Sequence, residues 1–481
     1  MSDELAWMSG DAMAAAVRDR EVSPVELVDA VLERLEQTEP KLNAFVTVVA
    51  EQARERARVA EAVVMSTPAE DLPPIYGVPI TVKDLSDTEG VRTTYGAVAF
   101  RDHVPTKDSI AWARLKAAGA ILIGKTTTPE FGGLGVTESG LTGITNNPWK
   151  LTHTAGGSSG GAAASVAAGV GAFAWGSDGG GSVRVPAACC GVVGLKPSRG
   201  RIPNDRLEWD SVSSDGPLTR TVIDSAILLQ VTSGPHHLDP LGLEHSGADF
   251  VSAVRAAGDL FRLRIAFAPN PGGADVDKDV AAVLARSVET IGSTAGCHVE
   301  QVDLNVPDPV DYFINFWSPS FPSIIDMLTD GHPERAREVG IPAATAEMAR
   351  RGETVSMAEY LRTAGPVRGE LYAAFDRVLG EFDLIITPTM PVAAFPHPGD
   401  FGGNTHINGI PVRFPSIDFH RFTESPSHAG LPAITVPCGF TPEGLPVGLQ
   451  IVGPLYADAA VLSAAAVIEQ VLPWSAARPS L

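Results

Sequence analysis

The chain has 481 residues, of which 44% are hydrophobic and 19% charged, and it contains 48 Gly and 38 Pro. This composition is typical of a globular protein and excludes collagen, coiled-coil and disulfide-scaffold classes. Asp and Glu outnumber Lys and Arg, 57 against 36, which gives a formal net charge of −21. Because that charge repels phosphate backbones and anionic lipids, we expect neither nucleic-acid binding nor a role at a membrane.

The four cysteines, Cys189, Cys190, Cys297 and Cys438, form no C-x-x-C pair, and two of them are adjacent. That arrangement suits neither a disulfide framework nor a zinc site, so we expect reduced thiols, no metal and no cofactor. The first residues are acidic where a secretory signal has a basic start, which favours a cytoplasmic location. The uncharged run 151–177 is long enough to span a bilayer, but its Gly, Ser and Ala content predicts loops and a small helix.

The first 65 residues are predicted to form a helical, amphipathic segment, 1–65. Residues 23–26, Ser-Pro-Val-Glu, have the N-cap, the N1 proline and the N3 glutamate of a capping box, and apolar residues follow at helical spacing. A further helix is predicted over about 50–64. We expect the segment to wrap a core or to face a partner subunit.

From residue 75 onward, short apolar runs bounded by Gly and Pro alternate with helical stretches, which is typical of an α/β protein. Strands are predicted over 78–82, 120–123, 263–267, 384–386, 433–436 and 448–452, and helices near 107–118 and 276–294. A mixed sheet covered by helices accounts for these elements. The stretch 306–380 lacks strand signals and is rich in aromatic residues and Pro, so it is predicted to be a helical insertion.

Two short segments match the sequence patterns of other functional sites, but they lack the flanking secondary structure that those sites require. Residues 119–126 satisfy the phosphate-binding pattern G-x-x-x-x-G-K-T, but a P-loop follows a strand, whereas here the central residues are themselves a predicted strand. Residues 157–161 satisfy G-x-S-x-G, which would make Ser159 the nucleophile of a hydrolase elbow. Only a weak strand candidate, 151–155, precedes that motif, so neither interpretation is favoured.

Two Gly/Ser clusters, taken together, predict an oxyanion site. The first, 156–161, precedes the helix-like run 162–168, and the second, 176–182, ends in Ser182 before a predicted helix start at 183–188. Consecutive glycines let backbone N–H groups converge on one point, and a helix N-terminus adds partial positive charge. A hydroxyl beside such a site is suited to acyl transfer. Flexible linkers are the alternative, but segments of core character flank both clusters.

A serine nucleophile needs a base, and no motif singles out any of the eleven histidines. Lys83 is better placed, because it follows the predicted strand 78–82, where burial would disfavour its charge. To act as a base near pH 7, a lysine must lose its proton well below its usual pKa of about 10.4. The alternative is that Lys83 is a surface residue at the end of a strand.

Taken together, these residues resemble the amidase signature family of serine hydrolases. The resemblance covers most of the chain and rests on segments 76–84, 124–131, 147–149, 156–161, 181–184, 194–197 and 444–453. The first Gly/Ser cluster and the segment Gly-Ser-Val-Arg at 181–184, whose serines Ser158 and Ser182 lie 24 residues apart, are highly specific in combination. The fold implied by the resemblance is a large, mixed, mostly parallel twisted sheet with helices on both faces.

The resemblance also implies roles for individual residues. In the Ser–cis-Ser–Lys triad of the family, Ser182 would be the nucleophile, Ser158 the serine after a cis peptide bond, and Lys83 the base. The residues implied to hold the oxyanion through backbone N–H groups are Gly179, Gly180, Gly181 and Ser182. The residues implied to fix the loops around the triad are Ser159, Asp178 and Arg184.

In this interpretation, residues 66–305 form the core with the triad, 306–380 form an insertion that walls the substrate pocket, and 381–481 complete the core. Two positions depart from the family pattern. Gly179 stands where a side chain is usual, and residues 139–143, Ser-Gly-Leu-Thr-Gly, stand where a bulkier sequence is expected. We expect both changes to widen the acyl pocket. The aromatic residues expected to line the pocket lie in 312–321 and at Phe395, Phe401, Phe414, Phe419 and Phe422.

The function that the resemblance implies is a stand-alone amidase, a monomer or homodimer, that hydrolyses small apolar or aryl amides through an acyl-enzyme on Ser182. Anilides, carbamates and esters are related substrates of the same chemistry. One alternative is the glutaminase subunit of a tRNA-dependent amidotransferase. Another is a catalytically silent binding or scaffold protein, which the complete set of Lys83, Ser158 and Ser182 opposes.

Overall fold

An eleven-stranded mixed sheet runs through the computed structural model, which describes residues 2–205, 211–258, 263–399 and 402–481. The strands are β1 Phe45–Val48, β2 Pro79–Lys83, β3 Ile121–Thr126, β4 Glu138–Ser139, β5 Gly143–Ile144, β6 Asn146–Asn147, β7 Lys150–Thr154, β8 Phe173–Asp178, β9 Val193–Lys196, β10 Ser214–Thr219, β11 Arg264–Phe267, β12 His298–Gln301, β13 Leu384–Pro388, β14 His406–Ile407, β15 Ile410–Pro411, β16 Ala433–Phe440 and β17 Pro446–Val452. The strands β4 to β7, β14 and β15 form three separate two-stranded sheets.

Helices lie between the strands and after the last of them. They are α1 Ser2–Ala6, α2 Gly10–Arg18, α3 Pro24–Leu42, α4 Ala50–Ser66, α5 Ile110–Ala117, α6 Gly160–Ala167, α7 Arg184–Cys190, α8 Val222–Thr232, α9 Phe250–Arg255, α10 Lys278–Thr294, α11 Pro309–Trp317, α12 Phe321–Thr329, α13 Ala343–Gly352, α14 Met357–Arg362, α15 Arg368–Leu379, α16 Pro415–Asp418, α17 Arg421–His428 and α18 Asp458–Val471. None of the helices in the described ranges is long and apolar enough to cross a membrane, and the uncharged run 151–177 contributes to β7, α6 and β8 instead.

The order across the large sheet is β1-β3-β2-β8-β10-β9-β16-β17-β13-β11-β12. Strand β2 is parallel to β3 and β8, and β11 is parallel to β12 and β13. The other neighbouring pairs are antiparallel. The predicted large mixed sheet is therefore confirmed, with its parallel pairs near the two ends. Parallel pairs are fewer than expected, because central strands such as β16 and β17 are joined by a connection too short for a parallel return.

The six predicted strands are all present, with bounds that differ by up to four residues, and both predicted helices correspond to α5 and α10. Within the large sheet, the strands that the sequence did not predict are β1, β8, β9, β10 and β12. Strands β8 and β10 read Phe-Ala-Trp-Gly-Ser-Asp and Ser-Asp-Gly-Pro-Leu-Thr, and Gly, Pro, Ser and Asp usually interrupt strands. They persist here because both strands lie in the interior of the sheet.

The N-terminal segment wraps the core. The predicted capping box of Ser23 and Glu26 is present at the start of α3, whose Leu27 and Val28 are buried. One part of the segment is not helical, because β1 adds to the edge of the sheet by antiparallel pairing with β3.

Alternate residues of the strands enter different hydrophobic clusters, so helices cover both faces of the sheet. On β11 and β13, Ile265 and Ile386 belong to the cluster that includes α10 and α18, whereas Ala266 and Ile385 belong to the cluster that includes α11 and α15. The described part of 306–380 is helical, from α11 to α15, as predicted from its composition. Its treatment as a separate domain remains an expectation.

All four cysteines are buried free thiols. Burial raises the pKa of Cys189 and of Cys438 to about 12, so neither thiol ionises near neutral pH.

Candidate active site

Lys83 is fully buried at the end of β2, and the alternative of a surface residue is therefore excluded. Strand β2 lies between β3 and β8 and is buried along its whole length. The Nζ atom of Lys83 is hydrogen-bonded to Ser158 Oγ at 2.7 Å and to Ser177 Oγ at 3.1 Å. The fold thus joins the lysine to the first Gly/Ser cluster, 75 residues further along the chain.

The first Gly/Ser cluster, 156–161, is a close-packed turn and not a flexible linker. The peptide bond between Gly157 and Ser158 is cis. A Cβ atom on Gly157 would lie 2.6 Å from the backbone of Val136, and one on Gly161 would overlap Thr127. Glycine is required at these positions because neighbouring chain segments occupy the space of a side chain.

The second cluster brings Ser182 to the first. The backbone N–H of Ser159 donates to the carbonyl oxygen of Ser182 at 3.1 Å. Ser182 is partly exposed, and its hydroxyl has no hydrogen-bond partner among the residues that the structure describes. Ser159 is fully buried, and its hydroxyl donates to the carbonyl of Ser177 at 3.4 Å. Ser182 is therefore the more accessible of the two hydroxyls, which disfavours the hydrolase-elbow interpretation of Ser159.

A buried ion pair fixes the loop that carries Ser182. Asp178 Oδ1 accepts from Arg184 Nη2 at 2.8 Å, and Asp178 Oδ2 accepts from Arg184 Nε at 2.9 Å. The Nη1 and Nη2 atoms of Arg184 also donate to Gln450 and Ser427, both at 2.6 Å, which ties the loop to β17 and α17. Burial alone would raise the pKa of Asp178, but the adjacent Arg184 lowers it below its usual value, so the carboxylate stays charged.

We call residues 179–182 the oxyanion loop. The Asp178 carboxylate accepts hydrogen bonds from some backbone N–H groups of this loop and of the two residues after it, and leaves others without an acceptor. It accepts from the N–H groups of Gly181 at 2.7 Å, Val183 at 3.2 Å and Arg184 at 3.4 Å. The N–H groups of Gly179, Gly180 and Ser182 have no hydrogen-bond acceptor within the described ranges. Of the four N–H groups predicted to hold an oxyanion, three are open and that of Gly181 is engaged by Asp178.

The other side of the oxyanion loop packs against α17. A Cβ atom on Gly180 would overlap the carboxylate of Glu424, and one on Gly181, whose φ is +129°, would overlap Thr423. The hydroxyl of Thr423 donates to the carbonyl of Gly180 at 2.8 Å. The glycines let this helix approach the loop closely.

Glu424 is the centre of a buried polar cluster. Its Oε2 lies 3.2 Å from Trp317 Nε1, which donates to it, and 3.1 Å from His428 Nε2. Its Oε1 lies 3.3 Å from His420 Nδ1. Burial alone would raise the pKa of Glu424, but the hydrogen bonds from His420 and His428 lower it to about 2. The cluster therefore places a carboxylate beside the oxyanion loop.

The expectation that Gly179 and Gly140 widen the pocket is not supported by the packing. A Cβ atom on Gly179 would lie 2.6 Å from Ser213 Oγ and 3.2 Å from Trp317 Cη2. A Cβ atom on Gly140 would overlap the backbone of Gly340. The space is occupied by Ser213 and by residues of α11 and of the loop before α13, so these glycines let the helical insertion pack onto the core.

The aromatic residues expected to line the pocket occupy different surroundings. Phe395 and Phe419 are buried against each other, with ring centroids 5.0 Å apart. Phe414 is contacted by two arginine side chains. Phe401 lies outside the described residues. Phe422 is buried and lines a small cavity beside Gln450.

Nearer the oxyanion loop, the relevant aromatic residues belong to the insertion. Trp317 borders Gly179, and a Cβ atom on Gly133 would lie 3.2 Å from the Phe321 ring. Tyr312, Phe313 and Phe316 surround the imidazole of His428.

Comparison with known proteins decides the family. A model of the amidase family matches residues 26–462. The chain belongs to the amidase family. It is 38% identical to an acylamidase of Rhodococcus erythropolis over 99% of this chain and 98% of that protein. As an amidase, it is a hydrolase that acts on amide C–N bonds, and the resemblance read from the sequence is confirmed.

Other amidase relatives include two kinds of protein. One is a bacterial aryl acylamidase of the amidase signature enzymes. Its crystal structure matches this one with a TM-score of 0.90 and 31% sequence identity, over 98% of this chain and 97% of that one. Another is one of the subunits of the glutamyl-tRNA(Gln) amidotransferase of Roseiflexus sp. (strain RS-1), 35% identical over 98% of this chain and 97% of that protein.

Sequence reasoning placed Trp317 among the aromatic residues of 312–321 expected to line the pocket, but it missed two residues of this candidate site, Ser177 and Glu424. Ser177 lies inside the second Gly/Ser cluster, so its position was a usable signal. Trp317 and Glu424 come from distant segments that share no motif with the serines, and only the fold brings them together. Among the described residues, no group of His, Cys, Asp and Glu side chains is arranged to hold a metal ion.

Proposed function

We propose that the protein hydrolyses small, uncharged amides with apolar or aryl groups through an acyl-enzyme on Ser182. The observation that carries the proposal is a buried Lys83 hydrogen-bonded to Ser158, with the partly exposed Ser182 on a loop that the Ser159 N–H joins to the same cluster. Three open N–H groups beside that hydroxyl, those of Gly179, Gly180 and Ser182, supply an oxyanion site.

In the proposed mechanism, neutral Lys83 accepts the proton of the Ser158 hydroxyl, and Ser158 Oγ accepts that of Ser182. Ser182 Oγ forms a bond to the carbonyl carbon, and the carbonyl oxygen becomes an oxyanion held by the open N–H groups. The C–N bond then breaks, and the leaving nitrogen receives a proton from Ser158, which recovers one from Lys83. Water attacks the resulting ester in the same way, releasing the carboxylic acid and restoring Ser182.

The surroundings of the loop favour uncharged substrates. The Glu424 carboxylate lies beside Gly180 and stays ionised, so an anionic acyl group placed near it would be repelled. The aryl acylamidase relative supports aryl amides as the first substrates to test.

A panel of amides with Ser182→Ala as the matched control tests the proposal. We expect the wild-type protein to hydrolyse aryl amides with greater kcat/KM than aliphatic amides or carbamates, and Ser182→Ala to lose at least about 10³-fold in kcat with its melting temperature unchanged. Glutamine belongs in the panel because amidotransferase subunits are among the relatives. Turnover of glutamine alone would overturn the proposal in favour of a glutaminase.

A further inference from the structure

We propose that Trp317 is the residue that sets acyl-group specificity, and that Glu424 is a positioning residue that holds the Trp317 indole against the oxyanion loop. This inference rests on the proposed amidase function. It assigns the amidase a preference for short, neutral acyl groups.

The indole borders the site where the substrate carbonyl would lie. A Cβ atom on Gly179 would be 3.2 Å from Trp317 Cη2, so the ring is in contact distance of the loop. The N–H of Gly179 is one of the open donors of that loop. A carbonyl oxygen bound there would bring its acyl carbon next to the indole, which is only partly buried.

The roles of the two serines in the proposed mechanism assign the acyl group to the Trp317 side. The leaving nitrogen must face Ser158, because Ser158 returns the proton to it. Ser158 is bordered by the segment that contains Gly132, where a Cβ atom would lie 3.1 Å from Ser158 Oγ. The acyl substituent occupies the opposite side of the carbonyl carbon, toward Gly179 and the indole.

Glu424 fixes the indole by direct contact. Trp317 Nε1 donates to Glu424 Oε2 at 3.2 Å, and the same oxygen lies 3.1 Å from His428 Nε2. Rings on both sides restrict the indole further, with centroids 5.0 Å away at Phe316 and 5.4 Å away at His428, both edge-on. A hydrogen bond to a buried carboxylate is stronger than one between neutral groups, so the indole forms a rigid wall of the acyl pocket.

A rigid wall at this position limits the length of the acyl group. Ser213 and the indole together occupy the space beyond Gly179, and a longer chain would have to displace them. Removing or adding one methylene in an apolar pocket changes kcat/KM by about 10–200-fold, so the effect of the wall is measurable.

The test is the ratio of kcat/KM for the hexanoyl and acetyl para-nitroanilides. We expect Trp317→Leu to raise this ratio by at least about tenfold over wild type. Trp317→Phe keeps an aromatic ring but loses the N–H, and Glu424→Gln keeps the shape but loses the charge. We expect each of these two to raise the ratio by a smaller factor, chiefly through a lower KM for the hexanoyl substrate.

Trp474→Leu is the matched control, because the Trp474 Nε1 also donates a hydrogen bond, to the carbonyl of Arg220, and its ring lies in a different hydrophobic cluster. It should leave the ratio unchanged even if it lowers stability. A purely structural role of Glu424 would lower kcat for both substrates equally and leave the ratio as in wild type, which would overturn the positioning role.

An unchanged ratio in folded Trp317→Leu would overturn the specificity role while leaving the amidase function intact. If that variant does not fold, the ratio for Trp317→Phe decides in the same way. A wild-type protein that hydrolyses neither anilide would overturn the proposed function itself, and the specificity assignment with it.

Discussion

At the scale of single residues, the chemistry depends on which polar groups are already satisfied. Asp178 accepts hydrogen bonds from the N–H groups of Gly181, Val183 and Arg184, and thereby leaves other donors of the oxyanion loop open. Because a preorganised donor needs no rearrangement when charge develops, this division suits the oxyanion-binding role that we propose for the loop. The carboxylate itself stays charged because Arg184 is paired with it.

Lys83 supplies the first prediction. Lys83→Met should lower kcat by about 10²–10⁴-fold, the usual contribution of a general base, because Ser158 then has no proton acceptor. The matched control is Lys125→Met. Lys125 is also buried and lies on the neighbouring β3, but its Nζ donates to Thr88 and Thr93. The control should lower the melting temperature but keep kcat of the folded protein within about tenfold of wild type. A Lys83→Met enzyme with near-normal kcat at neutral pH would refute the proton relay.

Glu130 predicts a pH dependence of stability. Burial raises its pKa from 4.5 to about 7, although the Gly140 N–H donates to Oε1 at 2.9 Å. The folded protein therefore holds a proton that the unfolded chain releases, and the free energy of unfolding falls as pH rises from about 4.5 to 7. Glu130→Gln should remove on the order of 3 kcal/mol of that fall, read from urea unfolding at about pH 5 and pH 8. Equal pH dependence in both proteins would contradict the assignment.

At the scale of secondary-structure elements, a side chain of one helix supplies hydrogen-bond acceptors to the start of another helix that is distant in the chain. Asp224 of α8 accepts from the backbone N–H groups of Gly10 at 2.9 Å and Asp11 at 2.8 Å, at the start of α2. A carboxylate at this end of a helix satisfies donors that have no partner within the helix. This contact joins the N-terminal segment to a helix on the sheet.

Asp224→Ala tests that contact. It leaves two N–H groups without an acceptor, which should lower the free energy of unfolding by about 1–3 kcal/mol, measured by urea denaturation. We expect kcat to remain unchanged, because the hydrogen bonds of Asp224 go to α2 and not to the proposed site. Unaltered stability would show that other groups or water satisfy the start of α2.

Elements differ in how far the sequence could predict them. Strand β2 was predictable because its apolar run is bounded by Gly and Lys, and α3 because its capping box and apolar spacing are local signals. Strand β8 was not, since Gly176, Ser177 and Asp178 look like a loop. Their extended conformation is stabilised by pairing with β10, a strand more than thirty residues away in sequence.

At the scale of the whole molecule, the parts of the candidate site that lie in local motifs could be predicted, whereas those that depend on tertiary packing could not. The family resemblance predicted Lys83, Ser158 and Ser182 as site residues, because each lies in a short segment that matches a family motif, and in the structure Lys83 lies 2.7 Å from Ser158. The Glu424 cluster could not be foreseen, because it joins α11 and α17, which are separated by more than a hundred residues and meet through tertiary packing. The same packing explains why Gly179 does not widen the pocket.

The most direct test of the central claim is to identify the serine that forms a covalent adduct with a fluorophosphonate, by intact mass and peptide mapping. We predict one adduct on Ser182 of the wild-type protein, none on Ser182→Ala, and slower labelling of Lys83→Met because the relay that activates the hydroxyl is broken. An adduct on Ser159 or Ser158, or no adduct at all, would contradict the account.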